Sequence, residues 1–149
     1  MHLSSLLAPE RCRAKMACSS KKRALEKLAE LIAASTPGIS AEVLFSHLIN
    51  RERLGSTGIG EGIAIPHCRF ETKGATIGAL VTLADPIDFD AVDNRPVDII
   101  FAMLVPTDAN EQHLSTLAGL AEALQSARFV QGLRACADDR GLFLAATAA

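Results

Sequence analysis

No apolar run in the 149-residue sequence is long enough to cross a bilayer: the stretch from Val97 to Val105 is broken by Asp98, and a spanning helix needs about 20 such residues. The segment from Met1 to Ala17 mixes Arg11, Arg13 and Lys15 with isolated leucines and lacks a continuous apolar stretch followed by a small-residue cleavage site. The expectation is a cytoplasmic protein without membrane insertion. Charge of one sign is also lacking, with 15 Lys plus Arg against 17 Asp plus Glu and a formal net charge of -2. No global basic field points to nucleic acid or acidic lipid. The four cysteines, Cys12, Cys18, Cys68 and Cys136, form no CxxC pair, and the chain shows no secretory signal, so free thiols are favoured over disulfides or a zinc site. There is no repeat, linker or low-complexity tract, apart from an alanine-rich tail.

What is present is enough apolar sequence, 49% of residues, to build one core, and a single domain over 1–149 is the default. From Ser20 to Ser35, Leu25, Leu28, Ala29 and Ile32 recur at helical spacing until Pro37-Gly38 ends the segment. Ser40 is placed to cap a second helix, Ala41 to about Arg53, with Leu44 and Leu48 on one face and His47 and Arg51 a turn apart on a neighbouring one. From Leu54 to Pro66, glycines alternate with small polar residues and read as a loop feeding the short strand Ile63 to Ile65.

Ala75 to Leu83 and Val97 to Val105 read as strands, with a short strand expected around Ile87 to Phe89 between them. In the second, Val97, Ile99, Phe101 and Met103 form one apolar face and Ile100, Ala102 and Leu104 the other, as in a central strand covered on both sides. Asp108 followed by Glu111 resembles a capping box ahead of Leu117, Leu120, Ala121 and Leu124. One or two short helices follow around Gly132 and Gly141. The class is α/β, a mixed β-sheet flanked by helices on both faces.

The chemistry sits between Arg51 and Arg69, RERLGSTGIGEGIAIPHCR. Glycines let backbone N–H groups approach an anion and permit φ values barred to other residues, so Gly55 to Gly62 suits either a phosphate cradle or an ordinary turn-rich loop. Ile65 is extended because it precedes a proline, and Pro66 fixes φ, so His67 is delivered at the end of a rigid strand. Imidazole titrates near ~6.5, is largely neutral at cellular pH and is then nucleophilic, so His67 is a candidate phosphoryl acceptor. Arg51 offers a planar fork of donors for the phosphate oxygens, with Arg53 and Arg69 competing for that role. His113, a turn before Leu117 and close to the positive end of a helix, reads either as a neutral donor to phosphate or as a core-edge histidine. His47 and His2 are taken as surface residues.

The run Ser56 to His67, STGIGEGIAIPH, with an arginine sixteen residues before the histidine and His113-Leu114 at the start of a later helix, strongly resembles enzyme IIA of the mannitol and fructose class of the bacterial phosphotransferase system. The details from Thr57 to His67 are most similar to its nitrogen-regulatory branch. The resemblance covers essentially the whole chain and implies a phosphotransferase component rather than a stand-alone enzyme. His67 would take the phosphoryl group from an HPr-type phosphocarrier protein, Arg51 would match the site arginine, and His113 the second, non-phosphorylated histidine. Neither cofactor nor metal is implied. By the same resemblance, potassium-transport and sensor-kinase proteins are the expected partners. The alternatives are a sugar-specific IIA passing phosphate to a fructose or mannitol IIB, and a binding module that has lost phosphorylation. One departure stands out: the family usually has glycine after the active histidine, whereas Cys68 follows His67 here. The thiol beside the imidazole raises the expectation of a slower carrier or of redox sensitivity.

Overall fold

Two serine caps start the first helices where the sequence predicts them. The computed structural model describes residues 3–148, so His2 and the last residue of the alanine-rich tail lie outside the described residues. Helix α1, Lys21–Ser35, begins where the Ser20 hydroxyl accepts the Arg23 N–H at 3.1 Å, and α2, Ala41–Leu54, where the Ser40 hydroxyl accepts the Val43 N–H at 3.4 Å. Leu25, Leu28, Ala29 and Ile32 of α1 and Leu44 and Leu48 of α2 are buried, as their spacing requires. Among the described residues no helix is long and apolar enough to cross a membrane.

Strands β1 (Cys12–Met16), β2 (Gly58–Gly60), β3 (Ile63–Ala64), β4 (His67–Phe70), β5 (Ile77–Ile87) and β6 (Val97–Pro106) form one mixed sheet in the order β1-β5-β6-β3-β2. Strands β3 and β4 both pair parallel with β6, β3 opposite Ile99 and Ile100 and β4 opposite Met103 to Pro106, while β5 lines the other edge of β6 antiparallel. Among the described residues the outer edge of β4 therefore carries no further strand. Helices α3 (Glu111–Ala123), α4 (Ala127–Ala135) and α5 (Asp139–Thr147) complete the domain. On one face α1 and α2 pack over Ala79, Val81, Ile100, Ala102 and Leu104; on the other, α3 to α5 pack over Leu80, Ile99, Phe101, Met103 and Val105. The mixed sheet flanked by helices on both faces is thus the observed architecture.

The structure differs from the sequence reading at four points. The N–H groups of Asp98 and Ile99 both donate to the Gly62 carbonyl, at 2.9 and 3.1 Å. That bulge breaks the alternation and turns Val97 toward the α1/α2 core, opposite to Ile99. The expected short strand around Ile87 to Phe89 is instead the end of β5, which runs on through a register irregularity between Thr82 and Ile87 and leaves Phe89 outside any strand. Helix α3 starts at Glu111 after Asn110, and among the described residues no bond from Asp108 caps it. Strand β1, not anticipated at all, pairs parallel with β5.

Candidate functional site

The step Ile65-Pro66 sets up the site. Pro66 has no N–H for the ladder, but its carbonyl accepts the Met103 N–H at 2.9 Å, so the chain stays fastened to β6 through the proline. His67 then opens β4 opposite Met103, rather than closing the strand before it as the sequence suggested. Its ring is oriented by the chain itself: Nδ1 lies 2.7 Å from the Ile65 carbonyl oxygen. A carbonyl only accepts, so Nδ1 carries the proton and Nε2 keeps its lone pair.

Because β4 is an open edge, the space beside it is bounded by helices. Helix α2 contributes His47, Asn50, Arg51 and Leu54, and α3 contributes His113, Leu114 and Leu117, to a cavity of about 620 Å³ that His67 also lines. The structure thus brings His67, His113 and Arg51 together. The Arg51 Nη1 donates to the Gly55 carbonyl at 2.9 Å, which uses one of its five N–H groups and ties the side chain over the end of α2. Of the competing arginines, Arg69 reaches the Thr107 carbonyl at 3.3 Å and Arg53 the Asn50 side chain at 3.1 Å; Arg69 lines the cavity and Arg53 does not.

His113 occupies the first turn of α3. The Asn110 backbone N–H lies 3.3 Å from its Nδ1, and the Asn110 Oδ1 lies 3.2 Å from the same nitrogen. These contacts demand opposite tautomers. The backbone N–H can only donate, whereas the amide can turn over, so Nδ1 is the acceptor and Nε2 carries the proton. His67 and His113 therefore have opposite tautomers, with a lone pair on Nε2 of His67 and a donor on Nε2 of His113.

Gly58, Gly60 and Gly62 serve the hairpin β2–β3 and Gly55 closes α2, and none of them lines the cavity. Gly60 and Gly62 have φ of +99 and +81, and a Cβ on Gly62 would lie 2.6 Å from the Arg134 guanidinium. Gly58 is closed off differently, since a Cβ there would lie 2.8 Å from the Ala91 side chain and 2.9 Å from its Cα. At the hairpin tip, Asp93 accepts the Glu61 N–H at 2.9 Å and the Arg95 N–H at 3.1 Å, and these donors hold its carboxyl below the usual range. No glycine of the run lines the His67 cavity. Of the two readings the sequence left open, the ordinary turn is the one seen.

Three further residues gain meaning from the structure. His47, expected at the surface and exposed there, also lines the cavity and meets the Phe70 ring edge-on with centroids 5.0 Å apart. Cys68 is half-buried and, with Phe70, packs on the α1/α2 core, where burial pushes its thiol up to about 12. A raised thiol pKa lowers the thiolate fraction and argues against redox sensitivity. Iodoacetamide at pH 8 is expected to leave Cys68 unmodified in the folded protein while labelling it fully in urea; peptide mass mapping that finds rapid labelling of Cys68 in the native state would overturn this. Glu52 is buried on α2, and its carboxylate accepts the Thr57 N–H at 3.0 and 3.2 Å. The sequence reading missed it, although it continues the buried stripe of Leu44 and Leu48 at a spacing of four. Among the described residues no group of His, Cys, Asp and Glu is placed to hold a metal ion.

Comparison with known proteins finds relatives in both sequence and fold. Residues 5–144 match the family model described as "Phosphoenolpyruvate-dependent sugar phosphotransferase system, EIIA 2". A nitrogen regulatory protein of Klebsiella oxytoca is 45% identical over 144 residues, covering 96% of this chain and 88% of its own. The crystal structure of nitrogen regulatory protein IIA-Ntr from Neisseria meningitidis superposes with a TM-score of 0.89 at 32% identity, over 97% of this chain and 99% of that one. Mannitol IIA from Escherichia coli shares the fold, with a TM-score of 0.75 at 18% identity over 94% and 98% of the two chains.

Proposed function

The chain belongs to the EIIA 2 family of the phosphoenolpyruvate-dependent sugar phosphotransferase system, a family of phosphocarriers, and from that premise we propose that it is a regulatory phosphocarrier with His67 as its phosphoacceptor. One observation carries the assignment: the bond from Nδ1 to the Ile65 carbonyl leaves Nε2 as the nucleophilic nitrogen of a side chain that lines the cavity. The donor is a phosphohistidine on an HPr-type carrier. As its P–N bond breaks, the electron pair returns to the departing imidazole and a P–N bond forms to Nε2 of His67, which retains the proton on Nδ1 against the Ile65 carbonyl. The transition state of such a transfer is loose, and catalysis rests on position and charge. His113 Nε2–H donates to a phosphoryl oxygen and Arg51 adds a cation beside it. Leu54, 85% exposed, and Leu114, 53% exposed, put apolar surface on either side of the site, which suits a docking protein.

Phosphorylation of His67 adds negative charge between those leucines and so alters which protein binds there. Identity to nitrogen regulatory proteins supports a regulatory output, with potassium-transport and sensor-kinase proteins as the partners to try first, and a cytoplasmic setting follows from the carrier role. The test is transfer. Incubated with phosphoenolpyruvate, enzyme I and an HPr-type carrier, the protein is expected to acquire acid-labile phosphate and to keep it when a fructose- or mannitol-type IIB is added. Rapid passage to IIB would contradict the regulatory reading in favour of sugar uptake.

A further inference from the structure

Glu52 is a buried carboxylate that the transfer chemistry above does not use. Its side chain is 2% exposed and its ion-pair partner, the Lys21 ammonium 3.2 Å away, is 18% exposed. Lys21 in turn donates to the Phe89 carbonyl at 3.3 Å and lies 4.7 Å over the centre of the Phe89 ring. Buried ion pairs are poor stabilisers compared with apolar residues of the same size, so their presence asks for another explanation.

The hydrogen bonds that leave Glu52 supply one. Both carboxylate oxygens accept the Thr57 N–H, at 3.0 and 3.2 Å, and Oε1 also accepts the Thr57 hydroxyl. The Thr57 carbonyl accepts the Ile65 N–H at 3.0 Å. The Ile65 carbonyl accepts the proton on Nδ1 of His67 at 2.7 Å. Thr57 and Ile65 each donate through their N–H to one bond and accept through their carbonyl in the next, so the carboxylate and the imidazole are the ends of one connected series. Arg51 is held separately, by backbone groups at the end of α2: the Glu52 carbonyl accepts the Gly55 N–H at 3.2 Å, and the Gly55 carbonyl accepts from Arg51 Nη1 at 2.9 Å.

We propose that Glu52, held by Lys21, is the positioning residue of the site, its carboxylate fixing through Thr57 and Ile65 the His67 tautomer that exposes Nε2. A charge-assisted anchor at Thr57 sets the position of the Ile65 carbonyl, and that carbonyl decides which ring nitrogen is protonated. Loosening the anchor frees the carbonyl, mixes the tautomers and misdirects the nucleophile.

This inference rests on His67 as the acceptor, and its primary readout needs no phosphoryl donor. Imidazole nitrogen NMR on the wild type, Glu52→Gln and Glu52→Ala separates the tautomers directly. The wild type is expected to carry the His67 proton on Nδ1. Glu52→Gln, which keeps one acceptor oxygen, is expected to shift part of the population, and Glu52→Ala to shift more. With an HPr-type phosphodonor, Glu52→Ala is expected to lower the saturating transfer rate roughly tenfold at an unchanged KM, with Glu52→Gln recovering part of the loss. Should the alanine variant fail to fold, the wild type and Glu52→Gln decide. A wild-type proton on Nε2, or a Glu52→Gln variant with wild-type tautomer ratio and rate, would overturn the proposal. A wild type with the expected tautomer and the expected shift in the variants, but no uptake of phosphate, would support the positioning role and contradict the phosphoacceptor reading.

Discussion

Replacing His67 with alanine is expected to abolish phosphoryl uptake, lowering the rate from an HPr-type donor by roughly a thousandfold or more, because no other group lining the cavity is set up to replace the lost nucleophile. His47 lines the same space but is turned edge-on to Phe70, and His113 is assigned its proton on Nε2, the nitrogen that would have to attack. Loss of His113 or Arg51 removes a donor or a cation and leaves the nucleophile in place, so His113→Ala and Arg51→Ala are expected to slow transfer by about a hundredfold each. The measurement is single-turnover transfer of labelled phosphate followed by alkaline and acid treatment, since phosphohistidine survives base and is lost in acid. A His67→Ala variant that labels at the wild-type rate would remove the assignment.

The second large effect concerns stability. Lys21→Met leaves the Glu52 carboxylate buried without its cation and removes the bond to the Phe89 carbonyl, so the variant is expected to lose about 3 kcal/mol in urea denaturation. Surface pairs such as Arg95 with Glu61, both well exposed, belong to a different class and contribute about 1 kcal/mol or less. The coupling is testable by a double-mutant cycle in which Lys21→Met and Glu52→Gln together cost clearly less than the sum of the two. Additive costs would show that the pair does not act as a unit.

How far the sequence announces this fold depends on how local the signals are. The caps at Ser20 and Ser40 and the stripes behind them identify α1 and α2 nearly to the residue, since both depend on neighbours along the chain. Strand β1 is invisible because it is short and two of its residues, Arg13 and Lys15, are cations; only its pairing with β5 makes it a strand. Val97 goes to the unexpected face because two N–H groups converge on the Gly62 carbonyl, a contact from a segment far along the chain. Phosphate cradle and hairpin turn require the same glycines, and only the Ala91 and Arg134 contacts tell them apart.

The site divides in the same way. Pro66 and His67 declare themselves as a fixed imidazole, and Arg51 and His113 are candidates by chemistry and position that the family resemblance selects, but neither source gives the tautomers, which follow from the Ile65 carbonyl and the Asn110 N–H. Glu52 was legible in principle as an acidic residue on the buried stripe of Leu44 and Leu48, a position where a carboxylate needs partners. Those partners, Thr57 and Lys21, are known only from the fold. Cys68 looked reactive beside His67 and does line the same cavity, but its packing on the α1/α2 core raises its thiol pKa and disfavours the thiolate.

The most direct test of the whole account is to phosphorylate the wild-type protein from phosphoenolpyruvate through enzyme I and an HPr-type carrier and to locate the phosphate by nitrogen and phosphorus NMR. A single phosphate on Nε2 of His67, with the proton still on Nδ1, is the predicted result. Phosphate on Nδ1 of His67 or on another histidine, or no phosphate at all, would contradict it.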